Sequence, residues 1–423
     1  MSTPAAPFYQ LRCGCNQYPW GKQGSDSLAA RLCAKTPGWD GDGNDKKDFK
    51  IDENTPYAEM WMGTYPVLPS YVANTGEDLQ DVLDRYPKEL LGEKVTTKFG
   101  HTMLPYLPKV LSIAKALPLQ VHPNKEFSSK KHNEDPDSFT DPNHKPEIAL
   151  SLTEFEAFCG FKPVEAIVDI LRQKPLRHLL VAGGSTVADE KLSQEGLRQV
   201  VKTILKSSDE DVKKTFEAIR ELPDSAFTGL NSAIPQVSKR LENQFPKTDP
   251  GILVGLLCMN YMLLQPGEVI YIPAGGIHAY ISGDIIECMA RSDNVLNTGF
   301  CPKTDRDNVD EFCSVLNWEP TTKTQTTLQD EAYSRSKEGK TKIFRPPTSE
   351  FNVLATELGA SEREVLGEGG PSILLATRGN ATIKANDQSF DLSEGHVYFI
   401  AQGVKLDITA GTDGLLMHTA CVE

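Results

Sequence analysis

The sequence lacks the features that would direct a protein to a nucleic acid, a membrane or the secretory route. The formal net charge is −14 and no run of Lys and Arg supplies the basic face that nucleic-acid binding needs. No apolar run approaches the roughly 20 residues of a membrane span. The N-terminal segment MSTPAAPFYQLRCGCNQ has no basic stretch followed by an apolar core. We therefore expect a soluble, cytoplasmic protein that binds neither nucleic acid nor membrane, and we expect a monomer.

The cysteines give no sign of a disulfide framework. There are nine, an odd number, scattered through 423 residues, and no CxxC pair occurs. Cys13 and Cys15 are separated by a single residue. This usage is typical of reduced, mostly buried thiols in a cytosolic protein.

What is present is enough apolar material for more than one core. A chain of 423 residues predicts about two to four domains, and 39% hydrophobic with 24% charged residues is ordinary for a globular protein. The acidity does not exclude a phosphorylated substrate, because a few converging lysines can make one pocket positive on a negative protein.

The hydrophobic period changes twice along the chain. Short strands are predicted first, and alternation in LPLQVH puts Gln120 and His122 on one strand face. In Val164–Leu171 the apolar residues then recur at i, i+3, i+4 and i+7, which predicts a helix. Ser208 with Asp211 is typical of a helix start. Strand signals return in CMNYMLL, EVIYIP and DIIECMA, separated by Pro-Gly and Gly-Gly turns.

These changes predict a domain organisation. We expect a β domain in two parts, 1–151 and 256–320, interrupted by a helical insertion at 152–255. A polar linker or loop is expected at 321–342, and a C-terminal β domain at 343–423.

An internal repeat is visible in two segments. The first, from Gly267 to His278, has the pattern G-x5-P-x-G-x2-H. The second, starting at Gly395, keeps both glycines but has Ala401 in place of the proline and Leu406 in place of the histidine. The pattern resembles the second motif of the cupin superfamily, whose small barrels hold a metal. This resemblance implies a mainly β fold with two cupin-like β-barrels of jelly-roll type plus an α-helical domain. The second barrel would be degenerate and structural.

Several residues could join His278 in a metal site. Zinc sites need three or four nitrogen, oxygen or sulfur donors. Besides Gln120 and His122, the segment DPNHKPE offers Glu147, which shares a strand face with Lys145. Each of these residues alone also has an ordinary structural explanation, and Gln is an uncommon zinc ligand.

Longer blocks of the sequence resemble a particular family. They are QYPWGKQGS, TPYAEMWMGTYP, QVHPNKE, PNHKPEIAL, FCGFKP and HAYISGDIIECMARSDNV. They are similar to the corresponding blocks of the type I mannose-6-phosphate isomerases, and the likeness covers the whole chain. The resemblance implies one Zn2+ per chain. The implied ligands are Gln120, His122, Glu147 and His278.

The resemblance also implies an activity. The family interconverts mannose 6-phosphate and fructose 6-phosphate through an enediol, a step of carbohydrate metabolism that leads to GDP-mannose. The candidates for moving the proton are Glu287 and the pair His144 and Lys145. Lys109 is a candidate for contacting the phosphate. Trp20 and Tyr280 are candidate pocket walls, and core packing is an equal explanation for Trp20.

Two positions depart from the family pattern. Asn297 stands where the family has an arginine, and an amide cannot supply its positive fork. Pro118 stands where the family has a serine, on the strand face of Gln120. Arg291 is a candidate substitute, because in an extended strand it shares a face with Glu287 and Asn297.

These departures keep three alternatives open. One is a zinc isomerase of the same fold with a different sugar or weak activity. Another is a non-catalytic, metal-binding cupin. The third, an iron or manganese oxygenase or decarboxylase, fits poorly because such sites favour several histidines plus one carboxylate.

Overall fold

The computed structural model describes residues 5–37, 49–184 and 192–423. The predicted domain ranges also contain residues 1–4, 38–48 and 185–191, which lie outside the described residues. Within the described ranges, no helix is both long enough and apolar enough to cross a membrane.

The first large unit, here called the metal-site sheet, is antiparallel and has ten strands among the described residues. These are Gly14–Asn16, Glu59–Trp61, Tyr106–Ile113, Leu119–Val121, Glu147–Ser151, Phe155–Phe161, Met259–Leu264, Val269–Ile272, His278–Ala290 and Leu296–Gly299. A short ribbon, Lys22–Gln23 with Pro56–Tyr57, lies beside it.

One long strand organises this sheet. The first part of His278–Ala290 pairs with Phe155–Phe161 and its second part pairs with both Tyr106–Ile113 and Glu147–Ser151. The change of partners occurs at Gly283, whose φ is +126°, and a Cβ atom at this position would lie 2.7 Å from the Glu154 carbonyl oxygen. Only glycine fits this conformation, so Gly283 allows the strand to bend from one set of partner strands to the other.

The second unit, here called the C-terminal sheet, also has ten strands among the described residues. They are Phe8–Arg12, Tyr71–Val72, Asp330–Ala332, Thr341–Phe344, Asn352–Leu358, Arg363–Leu366, Ser372–Ala385, Gln388–Ser393, Val397–Ile400 and Leu406–Cys421. The early strand Phe8–Arg12 pairs with Val397–Ile400, with Phe8 opposite Ile400. Apolar side chains of both sheets belong to one buried core, so the two units pack against each other.

The internal repeat is present in the backbone. The first glycines of the two copies, Gly267 and Gly395, have φ of +88° and +86°. The second glycines, Gly275 and Gly403, have φ of +78° and +74°. Each copy forms a four-residue strand between its glycines, and a long strand begins where the pattern ends. The prediction of a mainly β fold with two cupin-like units is confirmed.

Six of the thirteen helices among the described residues lie between the strands Phe155–Phe161 and Met259–Leu264. The thirteen helices are Leu28–Cys33, Leu79–Arg85, Pro87–Leu90, Glu93–Phe99, Lys125–Glu134, Val164–Leu171, Arg177–Ala182, Gln194–Lys206, Asp209–Arg220, Ile234–Glu242, Pro250–Cys258, Val309–Val315 and Lys323–Thr326. The Ser208 hydroxyl accepts a hydrogen bond from the Asp211 amide at 3.2 Å, as a helix cap should.

Two segments differ from the predicted periodicity. Residues 155–161, placed at the start of the helical insertion, form a strand that pairs with both Met259–Leu264 and His278–Ala290. Phe155, Phe158 and Phe161 imitate a helical spacing, but pairing on both sides decides the conformation. The 321–342 stretch contains the helix Lys323–Thr326 and the strand Asp330–Ala332. The domain boundaries themselves stay a prediction.

Candidate metal centre and active site

Two histidines and a glutamate converge inside the metal-site sheet. Nε2 of His122 lies 3.2 Å from Oε1 of Glu147, and Nε2 of His278 lies 3.6 Å from Oε2 of the same carboxylate. Their possible ligand atoms all lie within 4.8 Å of one another, and all three side chains are buried. Both Nε2 atoms are buried without a hydrogen bond from any described residue. Such a set needs a common partner.

The opposite edges of the two imidazole rings determine the tautomer. Nδ1 of His122 lies 2.8 Å from the Asn294 carbonyl oxygen, and Nδ1 of His278 lies 2.9 Å from that of Gly276. A carbonyl can only accept, so each Nδ1 carries the proton and each Nε2 presents a lone pair. Burial lowers the pKa of both rings, that of His278 to about 4. Both rings are therefore neutral, and each Nε2 can donate its lone pair to a metal ion, as a histidine ligand must.

The third member is an anion. Burial would raise the pKa of Glu147, but the charge of Lys145 outweighs burial and holds this pKa well below its usual value. Nζ of Lys145 lies 3.1 Å from Oε1 of Glu147. Two imidazole nitrogens and one carboxylate are a donor set that suits Zn2+.

The repeat motif itself aligns these residues. The Gly275 amide donates a hydrogen bond to the His122 carbonyl at 2.7 Å. The φ of Gly275 is +78°, and a Cβ atom there would lie 2.8 Å from the Val315 carbonyl oxygen, so a side chain would be strained and crowded. The second motif glycine therefore connects the two histidine-bearing segments.

Gln120 lies beside this group. It is opposite His278 in one strand pair and opposite Asn297 in another. Directly opposed residues project from the same face of a sheet. The register therefore puts the Gln120 amide on the face that carries His278.

A buried charged cluster borders the metal group. Nζ of Lys109 lies 3.0 Å from Oε2 of Glu287 and 3.4 Å from Oε2 of Glu59. It also lies 4.8 Å from the centre of the Trp61 ring, whose Nε1 donates to Glu59 at 2.6 Å. This double pairing favours an electrostatic role for Lys109 over direct phosphate binding.

The surroundings shift the pKa values of Glu287 and Lys109 in this cluster. Burial raises the pKa of Glu287 to about 7, against the opposing effect of Lys109. Burial would lower the pKa of Lys109, but Glu287 and Glu59 outweigh it and raise the pKa. The cluster thus keeps a cation next to a carboxyl group that can exchange a proton near neutral pH.

Sequence reasoning missed Glu59 and Trp61. Both lie in the quoted block TPYAEMWMGTYP, and they share a strand face because they are two residues apart. A glutamate within an otherwise apolar strand was the available signal, since buried carboxylates are rare without a partner.

The adjacent residues His144 and Lys145 point to different places. Lys145 contacts Glu147, whereas Nε2 of His144 donates to Oε1 of Glu350 at 2.8 Å. Glu350 belongs to the C-terminal sheet's connections and was not predicted as a site residue. Of the pair, Lys145 is the one beside the metal group.

The candidate pocket walls are aromatic. The Tyr280 hydroxyl is buried and donates to Oε2 of Glu147 at 3.4 Å. Trp20 stacks on Tyr18 with 5.9 Å between ring centres, and packs against the apolar cluster that contains Tyr280. Trp20 therefore has a packing role here.

A cavity of about 700 Å³ lies against the connection that leads to Lys145 and Glu147, with Glu350 of the C-terminal unit in its wall. Its wall includes Arg291, Tyr65 and Asp141. The Arg291 guanidinium lies 5.0 Å from the Tyr65 ring centre and donates to the Thr64 carbonyl at 3.1 Å. Asn294 links this wall to His122, because its carbonyl accepts from Nδ1 of His122 and its side-chain amide donates to the Asp141 carbonyl at 2.7 Å.

Comparison with known proteins decides the family. Residues 8–164 match the catalytic domain of phosphomannose isomerase type I, and residues 342–388 match the C-terminal domain of the same type. Mannose-6-phosphate isomerase of Saccharomyces cerevisiae is 36% identical over 435 residues, covering 98% of this chain and 99% of the yeast protein. The chain belongs to the type I phosphomannose isomerase family.

Solved structures of phosphomannose isomerases share the whole fold. Mannose 6-phosphate isomerase from Salmonella typhimurium in its apo form superposes with a TM-score of 0.80 at 25% identity, covering 99% of this chain and 100% of that one. A mannose 6-phosphate isomerase bound with zinc and yttrium superposes with a TM-score of 0.79 at 26% identity and the same coverage.

Asn297 remains the clearest departure from the phosphomannose isomerase pattern. Its main-chain amide donates to Oδ2 of Asp307 at 2.6 Å. Its side-chain Oδ1 is buried and makes no hydrogen bond within the described part of the chain. On the face shared with Gln120, the chain therefore presents a neutral amide with an unpaired oxygen where the family arginine is expected.

Proposed function

We propose that this protein is a zinc-dependent aldose–ketose isomerase that interconverts mannose 6-phosphate and fructose 6-phosphate. The observation that carries the proposal is the pair of unprotonated imidazole nitrogens, on His122 and His278, facing the single carboxylate of Glu147. It occurs in a chain whose relatives are named for this reaction, one of them solved with zinc.

The residues that would hold the zinc are Gln120, His122, Glu147 and His278. The neutral rings and the anionic carboxylate support three of them, and the register of Gln120 opposite His278 supports the fourth. When bound, zinc polarises substrate oxygens and stabilises the negative charge that develops on them.

The remaining chemistry is a proton transfer between C1 and C2 of the sugar. In our proposal the ionised carboxylate of Glu287 accepts the C2 proton, which leaves an enediolate with its negative charge on O1. A proton then moves from O2 to O1, and Glu287 returns its proton to C1 as the C2–O2 double bond of the ketose forms. A pKa of about 7 suits a group that must both accept and release a proton. Lys145 is the candidate partner for the sugar oxygens, and His144 is a weaker candidate because its ring is paired with Glu350.

Substrate binding is proposed at the aromatic and basic wall. Tyr280 would form the sugar-facing wall beside Glu147, with Trp20 packed behind it, and Arg291 would attract the phosphate from the cavity that it lines. Lys109 would act through Glu287 rather than on the phosphate, because two carboxylates already hold its ammonium group.

A second candidate is a zinc isomerase of the same fold with another sugar substrate. It is favoured by Asn297, whose neutral side chain replaces a positive charge, and by Pro118, which removes a hydroxyl. Both candidates use the same metal centre and differ only in substrate recognition.

The cellular location and the oligomeric state are separate proposals. We propose a cytoplasmic location, supported by nine cysteines that form no disulfide among the described residues. A monomeric state and a role in supplying GDP-mannose remain predictions.

The test is a coupled assay of the purified, zinc-loaded protein for conversion of mannose 6-phosphate to fructose 6-phosphate. Turnover that a chelator removes and added zinc restores would support the proposal. Full zinc occupancy without turnover would contradict it, and a panel of other aldose phosphates and free aldoses would then test the second candidate.

A further inference from the structure

The connection that leads to Lys145 and Glu147 is held from two sides. Residues 141–146 form no strand or helix. On one side, the Asn294 amide donates to the carbonyl oxygens of Asp141 and Asn143 at 2.7 and 2.9 Å. These bonds anchor the beginning of the connection to the metal-site sheet.

The other side is held by the C-terminal unit. His144, the residue before Lys145, donates from Nε2 to Oε1 of Glu350 at 2.8 Å. Glu350 lies in the connection between the strands Thr341–Phe344 and Asn352–Leu358. The side chains of His144 and Glu350 are 26% and 11% exposed, so water competes little for this bond.

Glu350 is itself fixed. Its second oxygen accepts hydrogen bonds from the Thr348 hydroxyl and, at 2.9 Å, from the Ser349 amide. Burial would raise the pKa of its carboxyl group, but the bonds from His144 and Thr348 outweigh it and lower the pKa to about 2. The next residue, Phe351, is buried in the shared core. The carboxylate is therefore a rigid, charged acceptor.

We infer that Glu350 is a positioning residue, which through His144 orients the connection that presents Lys145 and Glu147 to the metal centre. The inference rests on the proposed function. Lys145 and Glu147 project to the same side of this connection, because Nζ of Lys145 lies 3.1 Å from Oε1 of Glu147. His144 lies one residue before Lys145 and three before Glu147, so holding its ring fixes the backbone from which both side chains project.

Through this role the second cupin-like unit would affect the reaction although it contributes no residue to the metal group. Misplacing a catalytic group by about 1 Å can lower the rate by about a hundredfold. A carboxylate behind a histidine is also a common way to fix ring orientation. Here the histidine is not a predicted ligand, so the effect would pass through the backbone to Lys145 and Glu147.

The test compares Glu350→Ala with a matched control. The control is Glu394→Ala, which removes another ion pair between the early chain and the C-terminal sheet, with 2.7 Å from Lys35 Nζ to Glu394 Oε1, both exposed. Glu350→Ala should weaken zinc affinity, measured by chelator competition, by about tenfold. It should also lower kcat with KM nearly unchanged. Glu350→Gln keeps an oxygen acceptor and should recover most of both losses, while the control stays at the wild-type values.

The route through His144 is tested by combining substitutions. In a His144→Ala background, Glu350→Ala should have no further effect on zinc affinity or kcat. Additive losses would overturn the inference, and so would a Glu350→Ala protein that melts earlier but keeps both values. Zinc affinity needs no substrate. A wild-type protein without isomerase activity but with the expected affinity pattern would therefore reject the proposed function alone.

Discussion

The two halves of the internal repeat have nearly the same backbone but opposite interiors. In the metal-site sheet, the strand that follows the motif begins with His278, which meets His122 and Glu147. In the C-terminal sheet, the equivalent strand begins with Leu406, opposite Leu366 and Ala385. The shared backbone therefore provides the same framework in both units. Only the unit whose neighbouring segments bring metal-binding side chains together forms a metal centre.

The largest expected effect comes from making the first copy resemble the second. His278→Leu should abolish zinc binding and lower kcat/KM by at least about a thousandfold, because one donor and its fixed tautomer are lost. Zinc content of the purified protein and the coupled assay measure this. The reverse change, Leu406→His, should bind no zinc, since its register partners are apolar. Zinc bound by Leu406→His would contradict the comparison.

The second prediction compares a buried carboxylate beside the metal group with one in the C-terminal sheet. Glu287→Gln should lower kcat by about a thousandfold with little change in KM, because an amide cannot accept the proton. Single-turnover and steady-state rates check this.

The matched control is a buried glutamate of the C-terminal sheet. Glu364 accepts main-chain hydrogen bonds from Lys337, Glu338 and Lys340. Glu364→Gln should lower the unfolding temperature and leave kcat unchanged. Equal kcat losses in the two variants would show that both act through stability.

A third prediction concerns how the stability of the protein depends on pH through a buried histidine outside the metal group. Burial lowers the pKa of His418, in the C-terminal sheet, to about 4. Between pH 4 and about 6.5 the unfolded chain binds a proton that the folded chain does not, so stability falls as pH falls through this window. From pH 7 to pH 5 this group should remove about 2 kcal/mol.

Denaturant unfolding at the two pH values measures this loss. In His418→Gln, which can keep a hydrogen bond to Thr377, the loss should shrink by the same amount. An unchanged pH dependence in the variant would contradict the assignment to His418.

The smallest effect concerns substrate recognition. Asn297→Arg should lower KM for mannose 6-phosphate by up to about tenfold, because a charged donor replaces the unpaired amide. Asn297→Gln, longer but neutral, is the control and should change little. A loss of activity in Asn297→Arg, or no response, would favour a pocket adapted to another sugar.

Features set by neighbouring residues were predictable from the sequence. The repeat glycines adopt positive φ in both copies because a turn requires it locally. Alternation in DPNHKPE predicted that Lys145 and Glu147 share a face.

Contacts between distant segments were not predictable from the pattern within any one segment. The pairing of Lys109 with Glu59 and Glu287 depends on strands far apart in the chain. The contact of His144 with Glu350 depends on how the two sheets pack. No periodicity within one segment carries that information.

The pairing of Phe8–Arg12 with Val397–Ile400 has a consequence for how the chain folds. The C-terminal sheet pairs two strands that are far apart in the chain, with Phe8 opposite Ile400. At ribosomal elongation rates of about 5–20 residues per second, the early strand waits about 20 s or longer for this partner. During that time its backbone edge is open to other chains. The finished sheet joins these two distant segments, so its assembly is a late folding step.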